Sequence, residues 1–291
     1  MTTTVSPESA ARIACRASGL PDKSLTPLHH HATSVFLLDA EDVVVRVSPA
    51  AQQGSLETSV LLTRWLIANG FPATEPADVR QPVVCGPYAV TFWRHYPQTA
   101  SGAPAAHHLG SLLRSLHDLP APPFELPEFQ PLSSLKVTLS FSTYLTVPQR
   151  EWLSTRLTLL LEAYRSLEFP LGYGHIHADA YPGNMLWDAP SVRLGDWDEA
   201  AIGPREIDLA NTFQGIRFGR SARELDEFSL RYGYDIRNWS GLPVLCGIRD
   251  LHTLGSFIRR ADHGDEAAAG QLNHRIATLM NEDSQAQWSV A

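Results

Sequence analysis

The sequence predicts an α+β chain in two lobes, a small antiparallel β-sheet lobe followed by a larger, mainly helical one. Three patterns carry that reading. Val-, Leu- and Phe-rich runs broken by short polar turns fill the first third of the chain, as strands do. From His107 onward, apolar residues recur at helical spacing. Inside that helical part stands one isolated hairpin pattern, Met185-Leu186-Trp187 and Val192-Arg193-Leu194 around the turn formers Asp188-Ala189-Pro190-Ser191. A length of 291 residues with 44% hydrophobic content fits two domains, or one large bilobal one, with a sizeable core.

Taken in order, Ser6-Pro7-Glu8 opens a helix with Ser6 as N-cap and Pro7 at the first helical position, and Gly19 closes it. Leu25 to Leu38 and Val43 to Val47, separated by Asp39-Ala40-Glu41-Asp42, read as a small antiparallel sheet. From Leu56 to Ala68 the residues Val60, Leu61, Trp65 and Leu66 recur near helical spacing, and Asn69-Gly70 ends that helix. After a proline-rich connection, Tyr88 to Trp93 is a strand. Arg94 to Pro104 holds two prolines and a glycine and is the expected hinge, so residues 1–96 form the first lobe and 97–291 the second. In the second lobe, His107 to His117 places Leu109, Leu112, Leu113 and Leu116 on one face. Pro148 to Leu167 is a long helix, and residues 205–281 supply further helices.

Composition narrows the function. The net charge of −8 and the absence of a clustered basic surface argue against nucleic acid as a partner. Cys15, Cys85 and Cys246 are far apart and form no CxxC pair, which reads as reduced thiols. The N-terminus has neither a basic start nor an apolar core of signal-peptide type, and no run is long and apolar enough to span a membrane, so a soluble cytoplasmic protein is expected. Only two lysines occur, Lys23 and Lys136; every other basic side chain counted in the charge is arginine.

The hairpin is flanked by groups suited to chemistry. His175-Ile176-His177-Ala178-Asp179-Ala180-Tyr181-Pro182-Gly183-Asn184 precedes it and Gly195-Asp196-Trp197-Asp198 follows it. Pairing Trp187 with Val192 sets Asn184 opposite Gly195, so the Asn184 amide and the Asp196 carboxylate meet at the open end. An amide oxygen beside a carboxylate is a hard-oxygen site suited to Mg²⁺ on a nucleotide phosphate. Asp179 lies five residues before Asn184 and can accept a proton from a substrate hydroxyl.

The spacing His-x-Asp-x-x-x-x-Asn, followed twelve residues later by Asp, resembles the aminoglycoside phosphotransferases and the related choline and homoserine kinases. Ala178 stands where protein kinases carry arginine. The resemblance is strongest over His175 to Asn211, including Gly203-Pro204-Arg205-Glu206-Ile207-Asp208-Leu209-Ala210. It implies a bilobal protein-kinase-like fold and an ATP- or GTP-dependent phosphotransferase acting on a small hydroxylated acceptor, as monomer or homodimer. It also implies Asp179 as catalytic base, Asn184 and Asp196 as Mg²⁺ ligands, and Asp208 bracing the catalytic loop. His177 is either a supporting residue or a hydrogen-bonded core histidine, and Asp198 either supports the metal or is a solvated acid.

A kinase of this shape needs a cation over the nucleotide phosphates. In Val43-Val44-Val45-Arg46-Val47 the candidate is Arg46, projecting opposite the core-facing valines, with Glu57 on the next helix as its partner. Thr33 and Ser34, after His29-His30-His31, are candidates for reaching phosphates although that loop has no glycine. The base is expected against backbone groups of Trp93, His95 and Tyr96. Acids spread from Glu224 to Glu266 hint at a cationic acceptor such as an aminoglycoside or amino sugar. Trp239, Trp288, Tyr232 and Tyr234 are either sugar-stacking or packing residues. Competing readings are a choline- or homoserine-type metabolic kinase, a catalytically silent nucleotide-binding protein, and a metal-dependent phosphate hydrolase.

Overall fold

The structure, a computed structural model, describes residues 5–30, 34–98 and 102–289. In chain order it contains α1 (Pro7–Ala17), β1 (Leu25–His30), β2 (Ser34–Leu38), β3 (Val43–Pro49), α2 (Gln53–Ala68), β4 (Val83–Cys85), β5 (Tyr88–Arg94), α3 (Ala106–Asp118), α4 (Ser133–Phe141), α5 (Val147–Arg165), β6 (Tyr173–Ile176), β7 (Met185–Asp188), β8 (Ser191–Leu194), β9 (Ala201–Pro204), α6 (Glu206–Gln214), α7 (Ala222–Tyr232), α8 (Leu242–His252), α9 (Leu254–Asp262) and α10 (Glu266–Met280). This is the expected α+β arrangement, an antiparallel N-terminal sheet and a mostly helical C-terminal part. Contacts divide the chain into two compact units. One comprises Met1–Pro104, Asp118–Leu126 and Pro182–Ala200; the other comprises Ala105–His117, Pro127–Tyr181 and Ala201–Ala291. Among the described residues no helix is long and apolar enough to cross a membrane.

The first unit is built on a five-stranded antiparallel sheet in the order β1-β2-β3-β5-β4. Its core forms where α1 lies against the sheet: Ala10, Ala11, Ala14 and Cys15 face Phe36, Leu38, Val45, Val47, Val90 and Phe92. Three alanines on the buried helix face let backbone approach strand closely, and Ser6 caps the helix by accepting from Ser9 N at 3.2 Å. Alternation along β3 buries Val43, Val45 and Val47 on that side, which leaves Val44 and Arg46 on the other. Helix α2 begins at Gln53, earlier than the apolar pattern suggests, and it buries Leu62 while Leu61 points to solvent. Strand β4 is absent from the sequence reading because three residues between Pro82 and Gly86 carry no period.

The hairpin β7–β8 belongs to this first unit by contact. Its register pairs Trp187 with Val192, as expected, and Gly195 N donates to Asn184 O at 2.9 Å. Three ties fix it. Leu194 bonds Pro72 O and Thr74 N through its backbone, at 2.9 and 3.0 Å. Arg193 pairs with Asp188 and Glu75 at 2.6 and 3.0 Å and donates to Ala73 O. The Gln98 amide mimics a strand, accepting from Trp187 N at 3.0 Å and donating to Trp187 O at 3.3 Å.

In the second unit, β6 pairs with β9, and helices make up most of the rest. Thr146 and Gln149 form a capping box at the start of α5. The short strands β6 and β9 and helix α4 were not expected from local pattern. Three of the four aromatics considered for sugar stacking are packing residues. Tyr232 is buried, Trp239 lies 5.6 Å from Phe169, and Trp288 is buried beneath Arg217 and Arg275.

Gly195 tests how tightly the hairpin is held. A Cβ there would stand 2.9 Å from Thr74 Cγ2. Gly195→Ala should therefore cost about 1–3 kcal/mol by overpacking, read as a shift in the urea midpoint. Adding Thr74→Ser, which removes that methyl, should recover most of the loss.

Candidate active site

In the first unit the sheet and hairpin enclose a cavity of about 560 Å³. Val35, Val44 and Leu186 form apolar walls; Arg46, Thr74, Asn184 and Asp196 supply the polar ones, and Trp93, His95 and Tyr96 line the edge. Six residues singled out from sequence thus share one cavity: Arg46, Trp93, His95, Tyr96, Asn184 and Asp196. Ser34 is half-buried and paired across the sheet with Val47, and Thr33 lies outside the described residues.

Arg46 departs from expectation in its partner. Its Nη2 donates to Asp196 Oδ1 at 3.1 Å and to Asp198 Oδ2 at 3.0 Å, whereas Glu57 is exposed and accepts from Gln53 Nε2 at 2.8 Å. Glu57 sits barely one turn into α2, whose buried face is set by Leu56, Ser59 and Val60, so its carboxylate points to water. Burial would lower the Arg46 pKa, but the two carboxylates outweigh it and the guanidinium is held charged above its ordinary value. Burial raises the Asp198 carboxyl; Arg46 pulls it back, Asp196 adds to the rise, and the net direction is up.

At the cavity edge, Arg94 N donates to Glu75 O at 2.8 Å and His95 N to Asp42 O at 2.7 Å. Among the described residues the His95 carbonyl and the Tyr96 N–H have no protein partner. The Tyr96 ring is otherwise engaged. Its hydroxyl accepts from Glu75 N at 3.1 Å, and the Arg94 and Arg193 guanidiniums each lie 5.4 Å from the ring centre.

The second unit holds Asp179 in a braced loop. Asp208, in the first turn of α6 and wholly buried, accepts from Ala178 N at 2.7 Å and His177 N at 2.9 Å. His117 Nε2 lies 3.1 Å from the same carboxylate, and its Nδ1 is 2.9 Å from the Tyr232 hydroxyl. Asn211 Nδ2 donates to Ala178 O at 3.2 Å, and Asp179 N donates to His177 Nδ1 at 3.3 Å. These bonds hold Ala178 at φ +66°, and Asp196 lies at φ +61°. Left-handed backbone at a non-glycine residue costs free energy and persists only where surrounding bonds fix it.

Two residues of this site escaped the sequence reading, both on α8. Arg249 Nη1 lies 2.5 Å from Asp179 Oδ1, and His252 is close enough to interact with both. Burial alone would raise the Asp179 carboxyl, but Arg249, with His252 and His177, holds it below its ordinary value. Burial and Arg249 push His252 down to about 4, with Asp179 opposing only in part. Arg249 stands 70 positions beyond Asp179 with no local motif around it, so no sequence signal short of the fold would have found it.

A sheet whose central strand aims an arginine at paired carboxylates, with an aspartate loop braced from a helix terminus, defines the protein-kinase-like fold. Solved structures agree. Amicoumacin kinase hAmiN, in complex with AMP-PNP, Ca²⁺ and Ami, is similar at TM-score 0.69 and 14% identity, covering 92% of this chain and 91% of that one. Aminoglycoside phosphotransferase APH(3'')-Id from Streptomyces rimosus gives 0.61 and 21%, covering 82% and 96%. A choline/ethanolamine kinase family protein from Mesorhizobium loti gives 0.61 and 14%, covering 88% and 87%. The chain belongs to the phosphotransferase enzyme family, whose sequence model matches residues 24–244, and it is accordingly a small-molecule kinase. No curated protein matches it significantly.

Two predictions follow from the braced loop. Asp208→Asn keeps the shape but turns an N–H toward a backbone donor, and should cost about 1–3 kcal/mol in urea unfolding. The second concerns pH. The ordinary histidine value is 6.5 and the folded His252 value about 4, so stability from neutral His252 is fully present above pH 6.5 and is lost as pH falls toward 4. The urea midpoint should fall more steeply over that window in the wild type than in His252→Gln.

Proposed function

We propose that this kinase transfers the γ-phosphoryl group of ATP or GTP to a hydroxyl of a small molecule, with Asp179 as the base. The observation that carries the reading is the cavity in the first unit that Arg46, Asn184 and Asp196 share. It combines apolar walls for a base, the Tyr96 N–H and His95 carbonyl, unpartnered among the described residues, at its edge, and Arg46 with Asn184 and Asp196 on its polar side. Arg46 takes the phosphate-binding task that no lysine is positioned to perform; its planar fork suits phosphate oxygens. Thr33 and Ser34 remain candidates for further phosphate contacts, and Glu57 is assigned no contact with Arg46. His177 and Asp208 hold the Asp179 loop, and Asp198 orients Arg46.

The donor set fits a hard divalent cation, since Asn184 offers an amide oxygen and Asp196 a half-exposed carboxylate on the same cavity wall. Mg²⁺ bound there would neutralise charge on the polyphosphate. In the reaction, the acceptor oxygen forms a bond to the γ-phosphorus and the γ-phosphorus–oxygen bond to the β-phosphate breaks. The hydroxyl proton passes to the Asp179 carboxylate and the nucleoside diphosphate leaves. Similarity to kinases of amicoumacin, aminoglycosides and choline supports a hydroxylated acceptor without choosing between antibiotic and metabolite.

Asp179→Asn should lower kcat by about 10²–10⁴, the range of general-base catalysis, with nucleotide KM little changed. Arg46→Ala should instead weaken nucleotide binding. ADP release across hydroxylated antibiotics, amino sugars and amino alcohols measures both, with mass spectrometry of the product. Full turnover in Asp179→Asn would remove the proposed base.

A further inference from the structure

The surroundings of Asp179 say which kind of acceptor this kinase takes. A polycationic acceptor needs uncommitted acids, and most of the acids from Glu224 to Glu266 already have protein partners. Glu224 closes a capping box with Ser221 and pairs with Arg220. Asp226 and Asp235 share Arg237, each at 2.7 Å. Asp250 is buried against Gln214 and Arg217. Asp262 accepts from Ser142 and from the Thr143 and Tyr144 amides. Asp265 caps α10 and pairs with Arg260. The acids from Glu224 to Glu266 that hinted at a cationic acceptor are thus mostly held by arginines, caps and backbone amides.

Asp179 instead faces an arginine and a histidine that burial keeps neutral. Arg249 and His252 lie three positions apart on one helix, both near the carboxylate, and Arg259 is close enough to disfavour a proton on His252. Arg259 bonds the Thr138 hydroxyl rather than an acid. Arg249 has Asp179 as its one protein partner among the described residues and stays 13% exposed, so most of its N–H donors remain for another molecule. Asp179 offsets the charge of Arg249, and Arg259 adds a further positive charge near His252.

Building on the kinase reading above, we infer that the acceptor carries a carboxylate or phosphate and that Arg249 is the residue that selects it. The guanidinium offers parallel N–H bonds to such a group. Drawn to the acceptor anion, Arg249 gives up its contact with Asp179 Oδ1, which then receives the hydroxyl proton. An acceptor without the anion leaves Arg249 on the carboxylate, so selection and activation of the base are one event.

Matched acceptors test this: glycerate against glyceramide, 4-hydroxybutyrate against its amide, glycerol 3-phosphate against glycerol, with choline and an aminoglycoside as cations. The acid of a reactive pair should exceed its neutral partner by about tenfold or more in kcat/KM. Arg249→Gln should erase the preference without changing nucleotide KM, and Arg249→Lys should retain part of it. A preferred neutral or cationic acceptor, or an acid preference surviving Arg249→Gln, overturns the proposal. So does a rise in nucleotide KM in Arg249→Gln, which would assign Arg249 to the γ-phosphate. Calorimetry with glycerate and glycerol 3-phosphate separates this inference from the kinase reading. Asp179→Asn, which releases Arg249, should bind them about tenfold tighter than wild type. No heat with either protein overturns the anion site even where ADP release is seen. Binding without ADP release supports the site and counts against phosphoryl transfer alone.

Discussion

A single buried carboxylate organises the loop that carries Asp179. Isolated in the interior, Asp208 would be strongly unfavourable; here two backbone amides and a histidine offset the desolvation. Those amides belong to consecutive residues after β6, and Asp208 lies in the first turn of α6, where the helix terminus also favours negative charge. Pairing of Ile176 with Ala201 brings the two segments side by side. The strands β6 and β9 are only four residues each, yet they fix where the Asp179 loop begins. The left-handed backbone at Ala178 is the local cost of turning that loop, and Asn211 helps to hold it.

The first unit uses a different economy of charge. Arg46 serves both Asp196 and Asp198, and it reaches them because strand alternation turns it away from the α1 core. The carboxylates reach it because the hairpin is tied to the Pro72–Glu75 segment through Leu194 and Arg193. Sheet face and hairpin register are separate constraints, and the cavity exists only where both are met.

Local pattern made much of this legible. The valine alternation in β3 told which way Arg46 points, and a turn-forming tetrapeptide fixed the register that sets Asn184 beside Gly195. The ordered spacing from His177 to Asp196, with Asp208 beyond, marked the chemistry because those residues lie within a short stretch of chain. What stayed hidden depended on distant pairing. Strands β4, β6 and β9 are too short to show a period, and α2 turns out Leu61 where Leu62 fits equally well with a helical pattern. Glu57 was a reasonable partner for Arg46 by analogy, but its place near the start of α2 points it to water. Arg249 and His252 could not be read at all, since they meet Asp179 only through the packing of α8.

Near-absence of lysine reaches further than phosphate binding. Among the described residues every ion pair draws its cation from arginine or histidine, none from lysine. Guanidinium stays protonated far into alkali, so the arginine pairs keep their charge at pH values where an ammonium would lose it. The same choice makes the protein a poor target for amine-directed chemistry. Acylating probes that report kinases by tagging a phosphate-binding lysine find only the side chains of Lys23 and Lys136 here, neither of which lines the cavity beside Arg46. A dicarbonyl reagent, which reacts with guanidinium, is the chemistry matched to this fold.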